Sequence, residues 1–181
     1  MRLVTPSALL PVSVEDVKRD LRIDHSYDDA LVERYIRRAA DYLQPPHGRI
    51  TRALSPQTWE ISFDAFPAAE IYLPLGPVQS VEAVSYIDPD GVEQETTDYE
   101  IDSQPETGGW VIPTGSWPRT MATVNAVTVR WVAGSEDIPE GLQGAVSLLA
   151  GYYYNNREAY EPTGNVWEAI RHQIAPWRSF I

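Results

Sequence analysis

His25 stands in the densest set of side chains that could hold a metal ion. Asp24, Asp28 and Asp29 lie within four residues of it, and imidazole with carboxylates is a recognised donor set. The same residues fall between two helical patterns, where Asp and Ser cap helices and first-turn carboxylates face the positive end of the helix dipole. Capping is the reading their position favours. Asp88-Pro89-Asp90-Gly91 with Glu93 and Glu95 brings a second group of carboxylates together. It lacks the alternating ligands and final glutamate of a calcium loop, whereas Pro followed by Asp-Gly is a turn signal. His47 follows two prolines and His172 neighbours Arg171. No HExxH spacing, Gly-x-Ser-x-Gly elbow or phosphate-binding glycine loop is present. Six tryptophans and ten tyrosines could stack on sugars, but most occupy alternating or helix-face positions where core packing is the default. The expectation is no catalytic residue, no cofactor and no metal.

The elements that would position any site are clearer. From Gly141 to Asn156 the chain carries no charged side chain. Leu142, Ala145, Val146, Leu149 and Tyr153 recur at three-and-four spacing, which predicts a central buried helix over 139–160. Pro139 suits its first turn. Gly144, Ser147 and Gly151 form a small-residue face that another backbone could approach. The run is too short to span a bilayer, which takes about 20 apolar residues.

Near the N-terminus, Ser13 with Asp16 three residues on predicts a short helix start. A second helix is expected from about Tyr27 to Leu43, capped by Ser26, with Leu31, Val32, Tyr35, Ile36, Ala39 and Leu43 buried. Arg34, Arg37 and Arg38 share a face of that helix, either as a solvated surface or as a contact for an acidic partner. At Gln57 the hydrophobic period changes to two. Trp59, Ile61 and Phe63 alternate with polar residues. Short strands follow around 71–73, 78–87, 92–95, 99–102 and 110–113, and 126–132 is the strongest, being rich in β-branched residues. After Pro162 a last helix spans about Val166 to Ile174. The tail from Ala175 is expected to run extended. Its Trp177, Arg178, Phe180 and Ile181 either fold back onto the chain or dock on a partner. The fold class is α+β: a helical bundle with an inserted antiparallel β module of about six strands, in a single domain over 1–181.

The chain has 181 residues, no cysteine and a formal net charge of −12. A disulfide framework and a thiolate metal site are therefore excluded. The charge argues against a protein that grips nucleic acid by neutralising phosphates. No apolar run resembles a signal peptide.

The order of local patterns resembles the tailed-phage head–tail connector (adaptor) family, the HK97-type and SPP1-type head-completion proteins, and within it the phiE125 gene-product-8-like subgroup. The residues that carry the resemblance begin with Leu3-Val4-Thr5-Pro6, Pro11-Val12-Ser13 and Leu21-Arg22-Ile23-Asp24. With Lys18 and Asp28-Asp29 they continue through Gln57-Thr58-Trp59-Glu60, Phe66-Pro67, Leu73-Pro74, Pro77-Val78-Gln79-Ser80-Val81, Tyr86 with Asp88, Asp90 and Gly91, and Trp117-Pro118. Asn125-Ala126-Val127-Thr128-Val129-Arg130, Ala133-Gly134, Ile138-Pro139 and Asn156-Arg157-Glu158-Ala159 complete them. The segment 44–54 is longer and richer in proline than the family's turn at that place.

The resemblance implies a structural protein rather than an enzyme. Such a protein is made in the host bacterial cytoplasm and located in the virion neck, as a ring of twelve copies under the portal protein. The ring extends the DNA channel and offers a platform to stopper or tail-completion proteins. Twelve chains of −12 each would carry about −144 formal charges, so double-stranded DNA would pass without specific binding. In that setting Trp177, Arg178, Phe180 and Ile181 would dock on the portal, and Arg34, Arg37 and Arg38 would meet the neighbouring subunit. The other readings are a stopper or tail-side completion protein, and an acidic carbohydrate-binding or hydrolytic domain.

Overall fold

The computed structural model describes residues 1–45, 48–103, 108–158 and 161–178. The change of hydrophobic period near residue 57 is a change of unit. One compact unit comprises Leu9–Ser55 and Glu136–Ile181, and a second comprises Met1–Ala8 and Pro56–Ser135. The first is helical and the second is antiparallel β, so the α+β class holds as expected.

In the helical unit, α1 (Val14–Leu21) starts where Ser13 predicts it: Ser13 Oγ accepts from Asp16 N at 3.0 Å. Arg22 adopts a left-handed conformation, φ 58°, and ends the helix. Helix α2 (Asp29–Leu43) begins later than expected. Asp28, not Ser26, occupies the cap position, and it makes no side-chain capping bond. The reason is a competing partner, since the Asp28 carboxylate accepts from the Tyr154 hydroxyl at 2.5 Å. That bond also raises the Tyr154 pKa, because it holds the phenolic proton against a carboxylate.

Helix α3 (Glu140–Asn155) is the centre of this unit. Leu142, Ala145, Val146, Leu149 and Tyr153 are all fully buried, and they pack with Ile36, Ala39 and Leu43 of α2. Helix α4 (Gly164–Ile174) adds Ile170 and Ile174. The small-residue face of α3 receives side chains rather than a backbone. A Cβ on Gly141 would lie 3.0 Å from the Trp177 ring, one on Gly144 3.4 Å from the Gln173 amide, and one on Gly151 3.1 Å from Leu21. The tail, expected to be extended, opens instead with a 3-10 turn over Ala175–Trp177.

The β unit holds eight strands among the described residues. β1 (Arg2–Thr5), β2 (Gln57–Phe63), β4 (Val78–Ile87), β5 (Glu93–Glu95) and β8 (Val127–Ala133) form one antiparallel sheet in the order β1-β2-β8-β4-β5. β3 (Ile71–Pro74), β6 (Tyr99–Asp102) and β7 (Gly108–Pro113) form another, ordered β3-β7-β6. β8 is central and alternates as expected, with Val127, Val129, Trp131 and Ala133 buried. Trp131 faces Trp59 across the ladder.

Strict alternation along β4 fails, because its register against β8 shifts between Val78 and Ser80 and again between Val81 and Ala83. Each bulge resets which face a residue occupies, and across the two the buried side returns at Val84, six residues after the buried Val78. The Asp88–Gly91 carboxylates serve the turn. Asp88 Oδ1 accepts from the Asp90 and Val92 amides, each at 2.9 Å, and Gly91 takes φ 82°. The Val92 amide leads the interactions that lower the Asp88 pKa.

One ion network ties three strands together. Glu60 is buried on β2, accepting from Arg2 Nε of β1 at 2.8 Å and from Arg130 Nη2 of β8 at 2.9 Å. Burial pushes the Glu60 carboxyl up, but the hydrogen bonds and charges of Arg130 and Arg2 outweigh it and hold the pKa below its ordinary 4.5. A lowered carboxylate pKa adds stability that is complete above the ordinary value and is lost as the pH falls through the lowered one. Glu60→Gln is expected to cost about 1–2 kcal/mol near neutral pH, less than a fully buried pair because both arginines reach solvent. Urea unfolding at about pH 7 and about pH 3 checks this. The gap between variant and parent should shrink in acid, and an unchanged gap would contradict the assignment.

Candidate assembly surfaces

The three arginines of α2 are not equivalent. Arg37 Nη2 pairs with Glu33 at 2.9 Å one turn back. Arg38 lies over the Tyr153 ring, its guanidinium carbon 3.9 Å from the centroid. It is half-buried and coupled to the core, so it helps seat α2 on α3 by a cation–π contact. Arg34 is exposed, 5.7 Å from the Tyr35 centroid, and makes no ion pair among the described residues. The basic face therefore presents Arg34 and Arg37 outward, with Arg38 turned toward the helix pair.

The tail residues are divided as well. Trp177 is half-buried in the notch that Gly141 leaves on α3, and its carbonyl accepts from Thr51 N at 3.2 Å and Thr51 Oγ1 at 3.3 Å. A side chain at Gly141 would press on that ring, which glycine leaves room to sit close. Arg178 is exposed. Phe180 and Ile181 lie outside the described residues, as does His47. In this chain, then, Trp177 is folded back on its own helical unit.

The residues that looked like a metal set are dispersed. Asp28 is engaged by Tyr154 and Asp29 by Lys18, while the His25 ring stacks on Tyr27 at 5.1 Å. No cluster of three His, Asp or Glu side chains fit for a metal occurs among the described residues.

Two surfaces escaped sequence reasoning. Phe66 and Trp117 stack with centroids 4.5 Å apart and planes within 4°, and Trp117 Nε1 donates to the Ala69 carbonyl at 2.6 Å. On the three-stranded sheet, Tyr72, Trp110 and Ile112 share one face, and the Tyr72 and Trp110 rings are 4.8 Å apart. A side chain on Gly108 would meet the Tyr72 ring at under 3 Å. Glycine there lets the ring lie across the strand. Alternation alone places Trp110 and Ile112 on one face of β7, and only the pairing of β3 with β7 brings Tyr72 to it.

Among the described residues the geometry presents packing surfaces and no convergent set of acid, base or nucleophile. Residues 11–107 match the family model for the phage gp6-like head-tail connector protein. The chain belongs to the phage gp6-like head–tail connector family. The match runs from the residues before α1 to the end of β6 and beyond, and takes in both the α2 arginines and the first two strands of the three-stranded sheet in sequence order.

Solved neck and virion chains extend the likeness of this connector to its whole length, at the level of fold. Each is 23% identical and covers 100% of this chain and 97% of its own. One comes from the neck of an empty gene transfer agent particle computed with C6 symmetry, TM-score 0.81. One comes from the virion of a native gene transfer agent particle, TM-score 0.76. Another comes from the neck of a native particle computed with C12 symmetry, TM-score 0.77. No curated protein matches the chain. As a member of this family, the connector is a structural protein of the head–tail interface of a phage or phage-like particle.

Proposed function

We propose that twelve copies of this connector form a ring beneath the portal protein, with the two units of each chain acting as one adaptor. The ring extends the DNA channel and gives stopper or tail-completion proteins a platform. The observation that carries this reading is the connector-family match over residues 11–107. Support for the number comes from the similar chain in a neck with C12 symmetry. The chain is non-enzymatic in this role, and its chemistry is that of surfaces.

The acidic balance suits passage of double-stranded DNA. With −12 on each copy, the ring repels phosphates and offers no cationic track on which DNA would stall. Trp177, Arg178, Phe180 and Ile181 are the portal-docking residues of the proposal, and Arg34, Arg37 and Arg38 belong to the contact between neighbours. Trp177 is an aromatic anchor of the kind that dominates interfaces, and it is held in reserve against Gly141 until docking. Mixing the chain with its cognate portal tests the reading: a stable complex supports it, and a portal left bare overturns it.

A further inference from the structure

The exposed face of the three-stranded sheet is unusual for a surface in contact with water. Tyr72 and Ile112 are each 41% exposed and Trp110 is half-buried between them. Register places Asp102 opposite Trp110 and Glu100 opposite Ile112 on the same face. The result is an apolar centre with carboxylates along the β6 edge. Contiguous exposed apolar groups with a polar rim mark interaction surfaces.

Charge is unevenly divided in the chain. The β unit has twelve acidic and three basic side chains, a formal −9. The helical unit has fourteen and eleven, a formal −3, and carries the outward Arg34 and Arg37. Arginine suits an aromatic and carboxylate surface, because its guanidinium both stacks on rings and forks onto carboxylates.

We infer that the Tyr72–Trp110–Ile112 face, with Glu100 and Asp102, is the docking site for the Arg34 and Arg37 face of a second copy of this chain. The contact is heterologous: each copy offers a sheet face to one neighbour and an arginine face to the other. Repetition of such a contact closes a ring when the rotation per copy closes. The inference rests on the ring reading above and names the surfaces that would build it.

Charge reversal tests the pairing. One variant carries Glu100→Arg with Asp102→Arg, and the other Arg34→Glu with Arg37→Glu. Ring mass is read by native mass spectrometry in the presence of the portal, with circular dichroism on each variant. Each variant alone is expected to lose the ring, since like charges then face each other. An equimolar mixture is expected to regain it, because every contact in an alternating ring is again between opposite charges. Recovery in the mixture also shows that both variants fold.

Rings of unchanged mass from either variant alone would overturn the pairing and leave the ring reading standing. Loss in both variants without recovery in the mixture would overturn it too. A sheet-face variant that still forms rings but releases the portal would assign this face to the portal instead. Failure of the unaltered chain to form a ring on the portal would overturn the ring reading itself.

Discussion

Trp131→Ala is expected to destabilise the β unit by about 3–5 kcal/mol, the range for deleting a large buried aromatic. Trp131 is fully buried on the central strand β8 and lies opposite Trp59, also fully buried. Strands β2 and β4 both pair with β8 around this position, so neither neighbour can move into the space without breaking a ladder. Trp131→Phe separates packing from polarity. The indole Nε1 of Trp131 is buried and finds no acceptor among the described residues. Phenylalanine removes that unpaired donor along with part of the ring, and the expected cost falls to about 1 kcal/mol. Urea unfolding followed by the near-ultraviolet signal of the tryptophans gives both numbers. An alanine variant within about 1 kcal/mol of the parent would contradict the packing account.

Truncation after Ile174 is expected to abolish attachment to the portal and leave the helical unit folded. The core of that unit lies upstream of the cut, in Ile36, Leu43, Leu142, Leu149 and Ile170 together with Ile174 itself. The described residues removed are a 3-10 turn with no buried member and the exposed Arg178. The cut opens the notch at Gly141 and frees the Thr51 amide to solvent, an expected loss of about 1–2 kcal/mol from the half-buried indole. If the tail docks on the portal as proposed, binding would suffer far more, because the proposed anchor is gone. Co-purification with the portal and circular dichroism of the truncated chain check the two halves. Retained attachment would remove the tail from the account, and an unfolded product would show that Trp177 serves the unit rather than a partner.

Much of the helical unit was legible in the sequence, for a physical reason. A 3.6-residue period without charges, as in Leu142 to Tyr153, has one stable use, and Ser13 at its capping distance from Asp16 fixes a helix start locally. The start of α2 lies two residues beyond the expected Tyr27, and the lack of a capping bond at Asp28 depends on Tyr154, a residue far along the chain. β1 was missed for a similar reason. It is four exposed residues at a sheet edge, and only its pairing with β2 makes it a strand. The two register shifts in β4 depend on β8, which is also remote in sequence.

The candidate surfaces divide in the same way. The arginine cluster was visible because helical spacing gathers it on one element. The sheet face was not, since Tyr72 and Trp110 meet only through strand pairing. The tail aromatics were visible as an oddity of composition, but the Gly141 notch that receives Trp177 required the packed unit.

The measurement that bears most directly on the connector assignment is native mass spectrometry of the intact chain mixed with its cognate portal. The account predicts one complex containing a full portal ring and one copy of this chain per portal subunit. A monomeric chain beside an intact, unoccupied portal would contradict it.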